Sequence, residues 1–239
     1  QGEFGKPEVE VEHDGRKAMS LPAGINREFH DGPIYTTTDG KHLFYTTNYN
    51  EDYTQKTKNV RLHLYHSQKQ DSIWTIPAEL PFSDKDYSTA HAAFDVATNT
   101  LYFSSDMPGG QGGFDIWKSV YKSGDWSKPV NMGKGVNTPQ NEVFPSLTLE
   151  GALVFSSNGW PGLGGLDLFL FDQKAGKSLN MLAGMNSEKD DLGVWFLTEK
   201  TGYMVSNREG TKGDDDIFQF ETDLKAIKDF HQPAVKVEL

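Results

Sequence analysis

From residue 33 onward, short apolar runs alternate with turn residues in a fixed order. The stretch 141–190 shows the unit. FPSLTL (144–149) has the content of a strand, and Glu150-Gly151 makes a turn into a second strand, ALVFSS (152–157). A glycine-rich loop leads to a third, LDLFLFD (166–172), and a turn over Lys174 to Lys177 leads to a fourth, SLNML (178–182). Runs this short, rich in aromatic and branched residues and bounded by turn residues, predict an antiparallel meander. The same order recurs as AHAAFDV, TLYFSS, FDIWKSV and WSKPVNM at 90–96, 100–105, 114–120 and 126–132. It recurs again as PIYTTT, HLFYTT, LHLYHS and IWTIPAEL at 33–38, 42–47, 62–67 and 73–80. GVWFLTE, GYMVS and DIFQFE at 193–199, 202–206 and 216–221 supply three strands of a further copy.

The loop between the second and third strands carries a repeated phrase. It reads SSDMPGGQGGFDIW at 104–117, SSNGWPGLGGLDLF at 156–169 and SNREGTKGDDDIF at 206–218. Asp115 and Asp167 are 52 residues apart, and Asp167 and Asp216 are 49 apart. A period near fifty in a strand-rich chain marks a repeat architecture. One four-stranded sheet cannot bury both of its faces, whereas several stacked around an axis do. The predicted fold is therefore an all-β propeller of four-stranded antiparallel blades, a single domain over 5–239. VEVEHDGRKAMSLPAGIN (9–26) resembles the outer half of a blade and AVKVEL (234–239) reads as a strand. Five blades are expected, one of them shared by the two chain ends, with four as the alternative. QGEF at residues 1–4 reads as the remnant of a cleavable tag and cloning scar, and is set aside. The first copy departs from the pattern: its loop Asn48 to Arg61 is longer and lacks the glycines, and His63 stands where the others have Asp.

Composition narrows the function. The 239 residues carry 23 basic and 34 acidic side chains, a net charge of −11, which argues against nucleic acid and anionic membrane surfaces as partners. No apolar run approaches the ~18 residues of a membrane span. Cysteine is absent, so no disulfide, thiolate metal site or cysteine nucleophile exists.

The pattern SS(D/N)xPGGxGGxDI(W/F), followed by W..PVNMG and NT and then SSNG.PG.GG.D, resembles the WD-repeat-like propeller repeats of OmpA-family envelope lipoproteins of Bacteroidetes. The likeness spans residues 9 to 221. It implies a periplasmic, outer-membrane-associated module that supports type IX secretion, with other subunits of the secretion complex as partners. Peptidoglycan contact is implied only for a neighbouring domain outside these residues.

Individual residues suggest several roles. Glycines 109, 110, 112, 113, 162, 164 and 165 suit tight turns and positive φ. An anion cradle is the competing reading, but no helix follows to provide it. Asp115, Asp167 and Asp216, opening the third strand with Gly112, Gly113, Gly164, Gly165 and Gly213 nearby, are expected to accept loop N–H bonds as a structural motif. A calcium site at Asp214, Asp215 and Asp216 is the alternative, although the run lacks alternating ligand spacing. The aromatics Trp74, Trp117, Trp126, Phe103, Phe155 and Phe169 read as inter-blade core. Trp160 replaces Met107 and Arg208 of the other copies. It is either an interface anchor, on a face shared with Met107, Arg208, Tyr49 and Tyr53, or a ring folded over its own loop.

In a meander, the glycine loops and inter-blade segments share one face. His30, Asp31, Ser88, His91, Asn141, Glu142, Asp190 and Asp191 are then predicted to ring the channel mouth there. This is either a hydrated entrance or a site for a carbohydrate or peptide. Glu142 with Asp31 or Asp191 would be the carboxylate pair of a glycosidase. No arginine falls at that mouth, and no GxSxG, HExxH or P-loop motif occurs. His63 and His66, three apart on a strand, face opposite ways and do not suit one metal. No cofactor is implied. The leading expectation is a non-catalytic interaction module.

Overall fold

The computed structural model describes residues 31–48, 61–71 and 73–231. The first sheet contains β1 (Asp31–Thr36), β2 (His42–Thr47), β3 (His63–Gln70), β4 (Ile73–Trp74) and β5 (Ala78–Glu79). The second contains β6 (Thr89–Asp95), β7 (Thr100–Ser105), β8 (Asp115–Lys122), β9 (Asp125–Trp126) and β10 (Val130–Asn131). The third is β11 (Glu142–Leu147), β12 (Leu153–Ser157), β13 (Asp167–Asp172) and β14 (Lys177–Asn180). The fourth has three strands, β15 (Asp191–Phe196), β16 (Thr201–Ser206) and β17 (Asp216–Glu221). Every pairing is antiparallel and each sheet follows sequence order, so each is a meander. Successive sheets pack face to face, the inner strand β6 on β2 of the first blade, and the inner strand β11 on the inner strands β6 and β15. The chain is an all-β propeller with four antiparallel blades among the described residues. The expected fifth blade falls on 9–26 and 234–239, outside the described residues.

Large apolar side chains fill the spaces between blades. Phe44, Leu64, Phe94, Phe103 and Trp117 join the first two blades. Ile116, Val136, Leu153, Phe155 and Phe169 join the second and third. Leu168, Leu170, Val194, Phe196, Met204 and Phe220 join the third and fourth. Each such side chain contributes roughly 1.5–3 kcal/mol when fully buried. A short helix, α1 (Leu224–Phe230), adds Ile227 to the last cluster. Asp223 caps α1 by accepting from the amides of Lys225 and Ala226.

Two features differ from the sequence reading. The outer strands expected at 73–80 and 126–132 are each two short pieces, β4 with β5 and β9 with β10. Pro77 and Pro129 lie in the breaks, where a proline cannot donate to the ladder. In addition, all four inner strands carry a register shift at the same position, between Asp31 and Ile34, Ala90 and Ala93, Val143 and Ser146, and Asp191 and Val194. A bulge bends a strand and re-aims a side chain. Here it turns His91 and Phe144 onto the propeller axis, both with left-handed backbone, φ 56° and 51°.

Candidate functional site

The glycine loops lie on the same face as the inter-blade segments, and they clasp neighbouring blades. The amide of Gly113 donates to Gln140 O (2.8 Å), that of Phe114 to Asn141 Oδ1 (3.0 Å), and that of Glu142 to Phe114 O (2.6 Å). One blade later, Leu166 donates to Asp190 Oδ1 (2.8 Å) and Asp191 to Leu166 O (2.6 Å). The close approach explains the glycines. A Cβ at Gly164 would overlap Lys189 O and lie 2.8 Å from Ser187 O; one at Gly112 would lie 2.5 Å from both Thr138 O and Pro139 O. Cβ atoms at Gly113 and Gly165 would overlap the side chains of Asn141 and Asp190. The expected positive φ holds at Gly109 (98°) and not at Gly112, Gly113, Gly164 or Gly165. A Cβ at Gly213, in the fourth blade, meets nothing within 4 Å.

Within each loop the recurring carboxylate gathers amides. Asp115 accepts from Gln111 N and from Asn131 Nδ2 (2.9 Å). Asp167 accepts from the amides of Leu163 and Gly164, both at 3.0 Å, and Asp216 from Lys212 N at 2.5 Å. Burial pushes the Asp167 carboxyl up, against the pull of those amides. Asp216 is thus engaged beside Asp214 and Asp215, and no group of three or more His, Asp or Glu side chains is placed to hold a metal ion among the described residues.

The predicted acidic ring is folded into the same fabric. Glu142 is fully buried, accepting from Thr138 N (2.8 Å), Thr138 Oγ1 (2.7 Å) and Ser157 Oγ (2.6 Å). Its burial raises its pKa, and these bonds oppose the shift. Asp191 is equally buried, accepting from Ser187 N (2.5 Å) and Ser206 Oγ (2.7 Å) and pairing with Arg208 Nη2 at 2.6 Å. Neither carboxylate opens to a substrate, which corrects the expectation of a mouth at this end and of a Glu142–Asp191 catalytic pair. Asp190 and Asn141 are clasp acceptors, and Ser88 N donates to Asp106 Oδ1 at 2.6 Å. Asp31 opens β1. His30, Tyr49 and Tyr53 lie outside the described residues.

The predicted interaction face is also engaged internally. Trp160 Nε1 donates to Val136 O at 2.8 Å, and its ring packs on the core with Phe169, the ring-over-loop reading. Met107 packs against the core shared by the first two blades. Arg208 donates to Gly184 O (3.1 Å) and Met185 O (2.8 Å) besides Asp191. Asn137 and Asn186 have roles the residue-by-residue reading missed. Asn137 Oδ1 accepts from Ile116 N (2.8 Å) while its Nδ2 donates to Ile116 O (2.9 Å). Asn186 does the same to Leu168, at 2.7 and 3.0 Å. Each side-chain amide satisfies the strand N–H and shares the strand carbonyl with a backbone donor, Met132 N at 3.1 Å and Met181 N at 3.0 Å. The signal was present: the two asparagines are 49 residues apart, one repeat.

An open cavity of about 900 Å³ lies on the axis, reached from the opposite face. All four inner strands line it. Pro33, Ile34 and Tyr35 come from β1, His91 from β6, Phe144 and Ser146 from β11, and Trp195 from β15. The His91 and Phe144 rings stack at 4.0 Å, and Tyr35 and Trp195 meet at 5.7 Å. Tyr35 OH donates to Phe94 O at 3.1 Å. His91 Nδ1 and Ser146 Oγ are buried without a hydrogen-bond partner among the described residues. Burial pushes the His91 pKa down to about 4, so the ring is neutral at pH 7. Among the described residues, Asp95 and Glu150 are the charged ones lining the cavity, and no lysine or arginine does.

A second open surface is the outer side of the fourth blade. Val194, Phe196, Met204 and Phe220 turn inward, which leaves Trp195 (42% exposed), Tyr203 (43%) and Ile217 (74%) on the other face. β17 pairs only with β16 among the described residues.

No family model matches the chain, and no curated protein matches it. Solved structures do resemble it. A puromycin-hydrolyzing peptidase of Mycobacterium tuberculosis superposes with TM-score 0.51 at 12% identity, over 88% of this chain and 30% of that one. A puromycin hydrolase superposes with TM-score 0.51 at 11% identity, over 80% and 27%. An α-L-arabinofuranosidase of Clostridium thermocellum follows with TM-score 0.43, 16% identity, and 78% and 66% coverage. The chain spans less than a third of the two peptidases it matches. The two peptidase likenesses show the fold. They also correct the expectation of a non-catalytic module: propellers of this shape are parts of hydrolysing enzymes, so missing sequence motifs do not mark the chain as inactive.

Proposed function

We propose that this chain is a protein-interaction propeller of an envelope complex, with a partner docking on its fourth blade. One observation carries the reading: a three-stranded blade presents Tyr203 and Ile217 on an open face beside the β17 edge, which is unpaired among the described residues. An open strand edge offers a row of backbone donors and acceptors, and adding a strand there is a recurrent mode of protein recognition. Apolar side chains next to that edge supply the anchors. The glycine-loop face is less suited, because Trp160, Met107 and Arg208 are engaged within the fold.

The setting comes from the repeat phrases, which resemble the propeller of PorE, a type IX secretion component, most among OmpA-family envelope lipoproteins. On that resemblance the module works in the periplasm at the outer membrane, and its partners are secretion-complex subunits. The test is a quantitative pull-down from a Bacteroidetes envelope extract, comparing the native chain with Ile217→Asp and Tyr203→Ser. Recovery of outer-membrane secretion subunits, reduced at least tenfold in either variant, is the expected result. Equal recovery by the variants, or no secretion subunit with the native chain, overturns the reading.

A further inference from the structure

The geometry points to the axial cavity as a binding site for a basic peptide segment, with an arginine or lysine side chain lying along the aromatic wall and its charge at Asp95 and Glu150. The site is separate from the docking edge of the fourth blade, although Trp195 borders both.

Four observations converge. The cavity volume, about 900 Å³, is within the range of small-ligand sites, and its walls mix apolar and aromatic side chains with polar ones such as Thr38, Thr98, Ser146 and Gln173. Its charge is one-sided among the described residues: Asp95 and Glu150 line it and no lysine or arginine does. Lys41 and Lys200 sit on the β1–β2 and β15–β16 turns, but neither is a lining residue. The rings of Tyr35 and Trp195 meet at 5.7 Å, tilted by 60°, with Trp195 partly open, and an open aromatic ring attracts a cation. Finally, the floor is strained and polar. His91 and Phe144 hold left-handed φ values that bulky residues rarely adopt, and His91 Nδ1 and Ser146 Oγ are left without partners among the described residues. Strain kept at one place in a fold is a pointer to function there. A peptide backbone offers both a donor and an acceptor to such atoms.

The carboxylates are placed differently. Asp95 is fixed by its turn, accepting from Ala97 N (2.9 Å) and Thr98 Oγ1 (2.6 Å), whereas Glu150 is exposed on the β11–β12 turn. Asp95 is therefore the preorganised charge and Glu150 the adaptable one. A glutamine or glutamate at the same place in the ligand would lose the charge match or reverse it.

The experiment is selection of binders to the intact chain from a displayed library of random dodecapeptides, followed by titration of the three most enriched synthetic peptides. Arginine or lysine enriched at one position is expected, and replacing that residue by glutamine should weaken binding at least tenfold. Glu150→Gln and Asp95→Asn should each weaken it three- to tenfold, with thermal unfolding unchanged for the exposed Glu150→Gln. Trp195→Ala should weaken it as well, while Ile217→Asp leaves it intact and so separates this site from the docking edge. Peptides without a basic preference, or basic peptides that bind Glu150→Gln and Asp95→Asn as tightly as the native chain, overturn the proposal. Loss of binding confined to Ile217→Asp would transfer it to the fourth blade.

Discussion

Gly164→Ala and Gly213→Ala occupy equivalent positions in the repeat, three residues before Asp167 and Asp216, yet should move stability in opposite directions. At Gly164 the added methyl would overlap Lys189 O and lie 2.8 Å from Ser187 O and 2.9 Å from Glu188 C, all backbone atoms. They cannot yield by rotating a side chain. Overpacking of this kind costs about 1–3 kcal/mol. If the loop retreats instead, it gives up Leu166 N to Asp190 and Asp191 N to Leu166 O, each worth about 1 kcal/mol net. Both routes give a similar loss, so for a domain of this size Tm should fall by roughly 2–12 °C. At Gly213 the methyl meets nothing within 4 Å, and φ lies outside the left-handed region. Alanine there restricts the unfolded chain and should stabilise by about 0.4–1 kcal/mol. Urea and thermal unfolding of both variants make the comparison. Equal effects, or a Gly164→Ala loss below about 0.5 kcal/mol, would refute the clasp as the reason for the glycines.

Two further outcomes follow from buried charge and buried imidazole. Arg208→Ala leaves the Asp191 carboxylate buried with only Ser187 and Ser206 as partners and should destabilise by about 3 kcal/mol, whereas Arg208→Lys should recover part of it, read by urea unfolding. His66 is stacked on Phe44, hydrogen-bonded to His42 at 2.9 Å, and held by burial at a pKa of about 3. Its folded pKa is below its unfolded one, so the unfolded chain takes up the proton first and stability falls as pH drops below about 6.5. Between pH 7 and 5 the loss from His66 is about 2 kcal/mol, and His91 adds a similar amount. Glu142 and Asp167, whose burial raises their pKa values, act in the opposite direction. The quantity to measure is therefore the stability of the native chain minus that of His66→Phe, which should fall by about 2 kcal/mol from pH 7 to 5; a difference independent of pH contradicts the assignment.

The repeat made the blades legible because each needs the same alternation, the same turn and the same clasp. Asp115, Asp167 and Asp216 declare a structural role by recurring, and their amide bonds follow from their place before the third strand. The axis was not legible. At the shared bulge the chain places Gly32 and Pro33, His91, Phe144 and Gly193, residues with no common chemistry, so no pattern announces that the same register faces the cavity. The predicted mouth failed for a related reason. A carboxylate at the start of an inner strand looks alike in sequence whether it faces water or accepts three bonds, and Glu142 does the latter because Thr138 and Ser157 fold over it. Trp160 was ambiguous because only the position of Val136 O decides where its indole N–H goes.

The most direct test of the docking claim is site-specific photo-crosslinking in the native envelope, from residue 217 on the open blade and residue 174 on an exposed turn of the third. The account predicts a crosslink from 217 to an outer-membrane secretion subunit, suppressed by Tyr203→Ser, and none from 174. Crosslinks from 174 but not from 217 would contradict it.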